Sequence, residues 1–437
     1  MQLTFLILSI PHYRTLGPII EAAAKRSDLK ATVVLGPSIE PGRVKSYQSA
    51  TLDNIPQRLQ HAAQVIKPQT LAEYVDVISS SDAVLALAGA KYNLDLSARL
   101  FAEPLDDAYL DKFLSPQWAL VADSFYINDL EHSDLVFWTG EVMKTVVSEA
   151  WPDDLSKYRG RIVQTGYVRA DIAALLDRET VRNDLGIPKD KPCVLYVPDS
   201  YVTRRDPSVT TPWYSVFWSA RSRWSRFKDS LLTLRSPSWA LRGLLGGPSH
   251  FDTLKALRQF CDANNAFLLM VPRRMKDVPK GPLFLPEEAA IADGFVPANE
   301  TYPQAMMLGI LASDLVVCGY RSGTILDAAA LGRFIVFIDV DAVGFVDEAQ
   351  LSHEWFDKGY GLRSGFHLTM PANQFIRHFS TTRLEDYAIS APDLENFRSQ
   401  HTGPVDGNVS RRILAEISES VLRAAHSRTS IRPSGSA

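Results

Sequence analysis

Short apolar runs alternate with helix-patterned segments along this chain, and the alternation runs twice. In the first series residues 3–10, 31–35, 81–87, 118–122 and 135–138 read as strands, and 18–25, 71–79 and 141–149 as helices. The second series has strands at 192–198, 266–271, 315–318 and 334–338 and helices at 251–263, 306–312 and 324–331. Strands that are apolar at nearly every position, not at every second one, belong to a parallel sheet covered on both faces. The expected fold is therefore α/β, with two doubly wound Rossmann-like domains. The expected division is a first domain over 1–165, a linker over 166–190 and a second domain over 191–408 with an insertion at 204–250. A helix over 409–425 is expected to pack back across both halves, and the Ser/Arg/Pro/Gly-rich stretch 426–437 to be disordered. Sheets of this kind bind ligands at the carboxyl ends of their strands, so the site is expected in the cleft between the domains.

Length and composition support that division. With 437 residues, 46 % of them apolar and 22 % charged, the chain can bury two cores. A formal net charge of −4 excludes a global polycation, and no nucleic-acid partner is expected. Cys193, Cys261 and Cys318 are scattered without a CxxC pair, which argues against a disulfide scaffold or zinc knuckle and for a reducing compartment. The opening run 1–10 lacks a basic leader and a small-residue cleavage site, so it reads as a first strand. No uncharged apolar stretch of about 18 residues occurs, so no spanning helix is expected. The expected location is cytoplasmic, at the inner face of the cell membrane.

The membrane enters through one segment. Residues 204–242 hold eight basic and two acidic side chains, a local charge of +6, together with four of the eight tryptophans. Trp and Tyr favour the membrane–water boundary, and Lys and Arg attract anionic headgroups. Trp213, Trp218, Arg221, Arg223, Trp224 and Arg226 are the candidate membrane-contact residues. The alternatives are a cap whose aromatic rings pack on the domain and whose arginines face water, and single-strand nucleic-acid binding, which uses the same chemistry but for which no recognised module surrounds the segment.

The stretch 312–338 is the most informative for chemistry. A strand runs into Gly319-Tyr320-Arg321-Ser322-Gly323 and then into a helix near Thr324. Exposed backbone N–H groups at a helix start favour an anion, Gly323 allows close approach, and Arg321 adds a full charge. Ser322 or Thr324 can cap the helix or bind phosphate, and Asp327 can meet a ribose hydroxyl. Asp199 and Ser200 follow the first strand of the second series, and Arg273, Arg274 and Lys276 follow its second strand. Arginines there can hold a pyrophosphate or stabilise a leaving nucleotide.

This stretch resembles the "SD-hydrophobic-DYSS-FD-LG-P" segment of CDP-glycerol glycerophosphotransferases and of related GT-B glycosyltransferases of bacterial surface polysaccharides. Three further stretches resemble that group in the same order. Residues 164–171, QTGYVRAD, resemble its "tGxPRxD"; 193–204, CVLYVPDSYVTR, resemble "ILYAPTWR"; and 405–413, VDGNVSRRI, resemble "DGxAxxRI". The group's "WHGxPxK" and "HP" elements are absent, and Arg321 stands within the "DYSS" position. The resemblance implies a GT-B transferase with its donor nucleotide on the second domain and its acceptor on the first. Glycosyl transfer from a nucleotide sugar to a surface-glycan or lipid-linked acceptor is the leading expectation. Transfer of a polyol phosphate from a CDP-polyol is the alternative, and a sugar-nucleotide epimerase or a non-catalytic scaffold are further ones.

The chemistry sets its own demands. Negative charge on a departing nucleotide needs fixed donors or cations, which Arg273 and Arg321 can supply without a cofactor or metal. A general base must reach the acceptor hydroxyl. His12 follows the first strand and is the leading candidate, with Tyr13 and Arg14 as acceptor contacts and Asp123 and Glu131 as competing bases. Asp339 and Asp341 resemble a metal-binding DxD element but read as an ordinary strand-end pair. The remaining histidines show no ligand spacing, so no metal is expected.

Overall fold

The computed structural model describes residues 1–37, 49–122, 130–150, 152–198, 250–272, 286–297, 302–319, 323–339 and 367–430. The chain forms two compact units. Unit 1 comprises Met1–Ala174, Thr301–Pro303 and Arg398–Ala437; unit 2 comprises Leu175–Glu300 and Gln304–Phe397. Both are doubly wound parallel sheets, as the strand pattern predicts.

Unit 1 is built on seven parallel strands: β1 (Gln2–Ile7), β2 (Lys30–Leu35), β3 (Gln64–Ile66), β4 (Ala83–Ala86), β5 (Gln117–Ala122), β6 (Leu135–Trp138) and β7 (Arg161–Gln164). Their spatial order is β3-β2-β1-β4-β5-β6-β7. Helices α1 (His12–Ala24), α2 (Leu71–Ser79), α3 (Ala90–Phe101), α4 (Asp107–Phe113) and α5 (Glu141–Ala150) connect them. β1, β4, β5 and β6 are almost wholly buried, which explains their unbroken apolar sequence. The edge strands β3 and β7 are half-buried or exposed and mix polar with apolar residues, so no strand pattern marks them in the sequence.

Unit 2 has six parallel strands: β8 (Cys193–Val197), β9 (Phe267–Met270), β10 (Gly294–Phe295), β11 (Leu315–Cys318), β12 (Phe334–Asp339) and β13 (Leu368–Pro371). The order is β10-β9-β8-β11-β12-β13. One face packs Tyr196, Leu257, Phe260, Val317 and Phe375 into a core with no exposed member among them. Each large side chain removed from water there contributes about 1.5–3 kcal/mol.

The units do not divide where composition suggests. Residues 166–174 belong to unit 1 rather than to a linker, and the helix Arg178–Asp184 already belongs to unit 2. The chain returns to unit 1 at Arg398, and its last described helix, Val409–Ser430, packs on α1 and β5 there. That helix runs past the expected end at 425 and covers the first residues of the expected tail; 431–437 lie outside the described residues.

The return is held by a junction of three Thr-Gly pairs. Tyr167 N donates to Thr402 O at 2.7 Å, and Thr165 N donates to Trp138 O at 3.1 Å. A β-carbon on Gly140 would lie 2.4 Å from Gln400 O, and one on Gly403 2.8 Å from Thr139 O. Gly166 and Gly403 adopt φ of +104° and +66°, a region that side chains disfavour. Asp171, 3 % exposed, accepts from Val409 N (3.1 Å) and Ser410 N (2.7 Å), satisfying the first amides of the last helix. Arg412 donates from Nε to Thr165 O at 2.9 Å and from Nη1 to Asp406 at 2.7 Å. The 164–171 and 405–413 motifs thus meet each other inside unit 1.

Candidate functional site

In unit 2 the chain steps outward from β8 through β9 to β10, then restarts beside β8 at β11 and steps the other way. Such a reversal leaves a crevice at the carboxyl ends of the two central strands. β8 and β11 pair in register from Val194↔Leu315 to Val197↔Cys318. Gly319 N extends the ladder to Val197 O at 2.8 Å. Gly323 is the N-cap of the helix Thr324–Ala330, at φ −60° and ψ −2°, with no side-chain cap. Thr324 does not cap it: its hydroxyl lies 3.5 Å from Met306 Sδ. Every residue of this helix is buried, so its run of alanines lets the backbone lie close to the sheet. Asp327 sits in the first turn with no exposed surface. Asp327 is thus a fully buried carboxylate in the helix that follows β11 at this reversal, as Glu288 is elsewhere in unit 2, and a buried charge is costly unless it is partnered.

Gly323, Thr324 and Asp327 are therefore brought together at this point. Arg321 and Ser322, in the same turn, lie outside the described residues, as do Asp199, Ser200, Arg273, Arg274 and Lys276. Trp213, Trp218, Arg221, Arg223, Trp224 and Arg226 lie outside them too, and so do Asp123 and Asp341.

Unit 1 has its own reversal, between β1 and β4. β1 ends at Ile7, and residues 8–11 turn into α1 with Pro11 as N-cap and His12 as its first residue. His12 is partly exposed, and its Nδ1 accepts from Leu8 N at 3.4 Å. That contact favours the tautomer with the proton on Nε2. Arg14 is partly buried, and its guanidinium makes no hydrogen bond or ion pair with the described residues. Tyr13 is fully buried, burial pushes its pKa up, and its hydroxyl meets no hydrogen-bond partner. Its ring is part of the core, facing away from solvent. Glu131 is exposed but lies just before β6, where Asp134 N bonds Trp118 O near the start of β5. That is the amino-terminal edge of the sheet, so Glu131 is not beside His12.

Two features of unit 1 carry no sequence signal. Asn93, 1 % exposed, donates to Ala88 O (2.6 Å) and Gly89 O (2.9 Å) and fixes the β4–α3 turn at the reversal. Tyr302, 1 % exposed, lies over Gly17 of α1, where a β-carbon would come within 2.5 Å of the ring. Glu21, one turn along α1, pairs with Arg58 at 2.7 Å. Glycine at 17 is the trace of this packing, but it identifies no partner.

Among the described residues no group of three or more His, Cys, Asp or Glu side chains is arranged to hold a metal ion, and no helix is long and apolar enough to cross a membrane. No family model and no curated protein matches the chain. Solved structures do. The wall teichoic acid polymerase TagF matches with a TM-score of 0.55 and 12 % identity over 97 % of this chain and 90 % of that one. Its H444N variant soaked with CDPG matches with a TM-score of 0.56 and 13 % identity over 97 % and 89 %. A Listeria monocytogenes protein described as a UDP-N-acetylglucosamine 2-epimerase matches with a TM-score of 0.51 and 14 % identity over 96 % of both chains. The two doubly wound units are those of the GT-B fold, and the fold resembles that of the teichoic acid polymerase group.

Proposed function

We propose that this protein is a GT-B glycosyltransferase that moves a sugar from a nucleotide-activated donor to a surface-glycan or lipid-linked acceptor. Unit 2 receives the donor and unit 1 the acceptor. The observation that carries the reading is the turn from Gly319 to Thr324 at the unit 2 reversal. It combines two glycines, the Arg321 charge in the sequence and a fully buried Asp327 in the helix that follows. In this reading Arg321, Ser322, Gly323 and Thr324 face the donor phosphates, with Arg273, Arg274 and Lys276 beside them. Asp327, Asp199 and Ser200 complete the donor contacts. The arginines stabilise the departing nucleotide's charge, and no metal is required for that role.

On unit 1, Arg14 meets the acceptor, since a partly buried guanidinium with no partner among the described residues is well satisfied by an anionic ligand. His12 takes the acceptor proton. Abstraction at Nε2 requires the Nδ1–H tautomer, so the contact from Leu8 N must be given up when the base acts. His12→Ala should lower turnover by about 100-fold and leave donor affinity unchanged; near-normal turnover assigns the base elsewhere.

Polyol-phosphate transfer from a CDP-polyol is the second reading, favoured by the order of the four motifs. A thermal-shift panel of nucleotides, nucleotide sugars and CDP-polyols tests both, because a ligand of the native state raises its stability. Phosphorus in the product decides for the second reading. Conversion of a nucleotide sugar with no acceptor present decides for an epimerase. Failure of every nucleotide to bind leaves a non-catalytic scaffold. The basic aromatic segment 204–242 is proposed to hold the enzyme at the inner membrane face. Its deletion should abolish co-sedimentation with anionic vesicles; persistent co-sedimentation of a folded deletion overturns that part.

A further inference from the structure

Unit 2 has a second concentration of positive charge, at the amino-terminal edge of its sheet. Arg178 opens the helix Arg178–Asp184, Arg182 lies one turn on, and Arg333 immediately precedes β12. All three guanidinium groups converge on the last carbonyls of the helix Ala305–Ala312. Arg178 donates from Nε to Leu311 O at 3.1 Å and from Nη2 to Ser313 O at 3.3 Å and Asp314 Oδ1 at 2.6 Å. Arg182 donates from Nη1 to Ala312 O at 2.8 Å and from Nη2 to Lys191 O at 2.5 Å. Arg333 donates from Nη2 to the same Leu311 O at 3.4 Å.

The negative end of a helix attracts cations, which accounts for the convergence. It does not account for the surplus. The carboxylate that faces Arg333 in this cluster is Asp314, and the other charges acting on Arg333 are Arg178 and Arg182. Asp314 is already committed: it holds Arg178, lies 3.6 Å from Arg182 and accepts from Cys193 N at 2.8 Å. Asp177, next to Arg178 in the chain, accepts from Thr180 N at 2.8 Å and Thr180 Oγ1 at 2.9 Å. Among the described residues, three guanidinium charges therefore face one carboxylate.

Arg182 is 6 % exposed, with both terminal nitrogens engaged. The other two arginines have donors to spare. Arg333 Nε is buried and meets no hydrogen-bond partner, and Nη1 of Arg178 and of Arg333 bond none of the described residues. Because both groups bond one carbonyl oxygen, they stand side by side. Burial, with repulsion from Arg178 and Arg182, pulls the Arg333 pKa down, the direction expected where like charges outnumber their counter-ions.

We propose that Arg178 and Arg333 form a second anion site, at the amino-terminal edge of unit 2, that takes a phosphate group. Two planar forks with unused N–H groups on either side of one oxygen suit a compact tetrahedral oxyanion, and such an anion neutralises the surplus charge. The site is separate from the donor loop, which follows the carboxyl end of β11, and it stands whether or not the donor reading holds.

The test uses the full chain and inorganic orthophosphate, titrated by calorimetry against chloride at constant ionic strength. Saturable binding is expected, weakened at least tenfold in R333Q and retained in R321A. Crystals soaked in tungstate should show an anomalous peak between Arg178 and Arg333. No orthophosphate binding overturns the proposal, as does binding lost in R321A but unchanged in R333Q. A tungstate peak without Arg333-dependent affinity in solution means an adventitious ion only, and overturns it too. Should R333Q not fold, R333K keeps the charge and loses the fork: weakened binding supports the site and unchanged binding overturns it. Vesicles of phosphatidylcholine with and without phosphatidylglycerol separate the sources. Arg333-dependent sedimentation with the anionic vesicles supports the site with a lipid headgroup as ligand. Orthophosphate binding without it supports the site with free phosphate as ligand.

Discussion

The Thr-Gly junction of unit 1 and the β11 turn of unit 2 are both glycine-rich, and both include stretches that resemble motifs of the same transferase group. They differ in what their polar groups do. At the junction Asp171 accepts from two backbone amides, and Arg412 is divided between Thr165 O and Asp406. Its glycines are pressed against backbone: a β-carbon on Gly140 or Gly403 would meet a carbonyl oxygen below 3 Å. At the turn Gly323 caps a helix with no side-chain cap, and the Thr324 hydroxyl lies 3.5 Å from Met306 Sδ. A glycine-rich motif whose hydrogen bonds close on themselves is scaffold; one that sits at a strand reversal and leads into a helix with no side-chain cap is a candidate site.

Four substitutions test that contrast. Gly140→Ala should have the largest effect, about 3 kcal/mol off the stability of unit 1, because the Gln400 and His401 backbone cannot rotate away as a side chain would. Denaturant unfolding measures it, and a wild-type midpoint would mean that the junction relaxes freely. Arg321→Ala should cost about 1.5–3 kcal/mol in nucleotide affinity if its charge meets a phosphate, with no change in melting temperature. A lowered melting temperature at unchanged affinity would make the turn scaffold as well. Asp171→Ala should remove about 2 kcal/mol of stability by orphaning two buried amides, without affecting nucleotide affinity.

Asp406→Asn should have the smallest effect, about 0.5 kcal/mol, since this carboxylate is nearly half exposed. It carries a pH signature. The Arg412 contact lowers the Asp406 pKa below its ordinary 3.8. Its stabilisation is therefore complete above the unfolded value and lost as pH falls through the folded one. The melting-temperature gap between wild type and variant should be widest near neutrality and close on acidification through the region below 3.8. A gap that is constant with pH would show that the ion pair contributes nothing.

The central strands were legible because burial on both faces leaves a continuous apolar run: 118–122, 135–138, 315–318 and 334–338 all fall within one residue of the observed β5, β6, β11 and β12. β3, β7 and β13 were not, because edge strands keep polar residues on their open side. The α3, α4 and Ala372–Phe379 helices also escaped, being short or without a sustained apolar stripe in sequence. At the candidate sites, the positions of His12 and Gly323 beyond strand ends were readable from the chain. The burial of Tyr13 and Asp327 was not, because one residue's turn around a helix axis decides between solvent and core.

By itself the sequence determined the class of fold: two series of unbroken apolar strands can only be hidden between helical layers. It also determined where charge concentrates, at 204–242 and around Arg321. Only the tertiary structure decided where the units divide, that the last helix returns to unit 1, and that Arg178, Arg182 and Arg333 share one helix end. Those facts depend on contacts between residues far apart in the chain, 133 positions for Arg178 with Leu311 and 130 for Arg182 with Ala312, and a one-dimensional pattern records what each residue prefers, not which partner it finds.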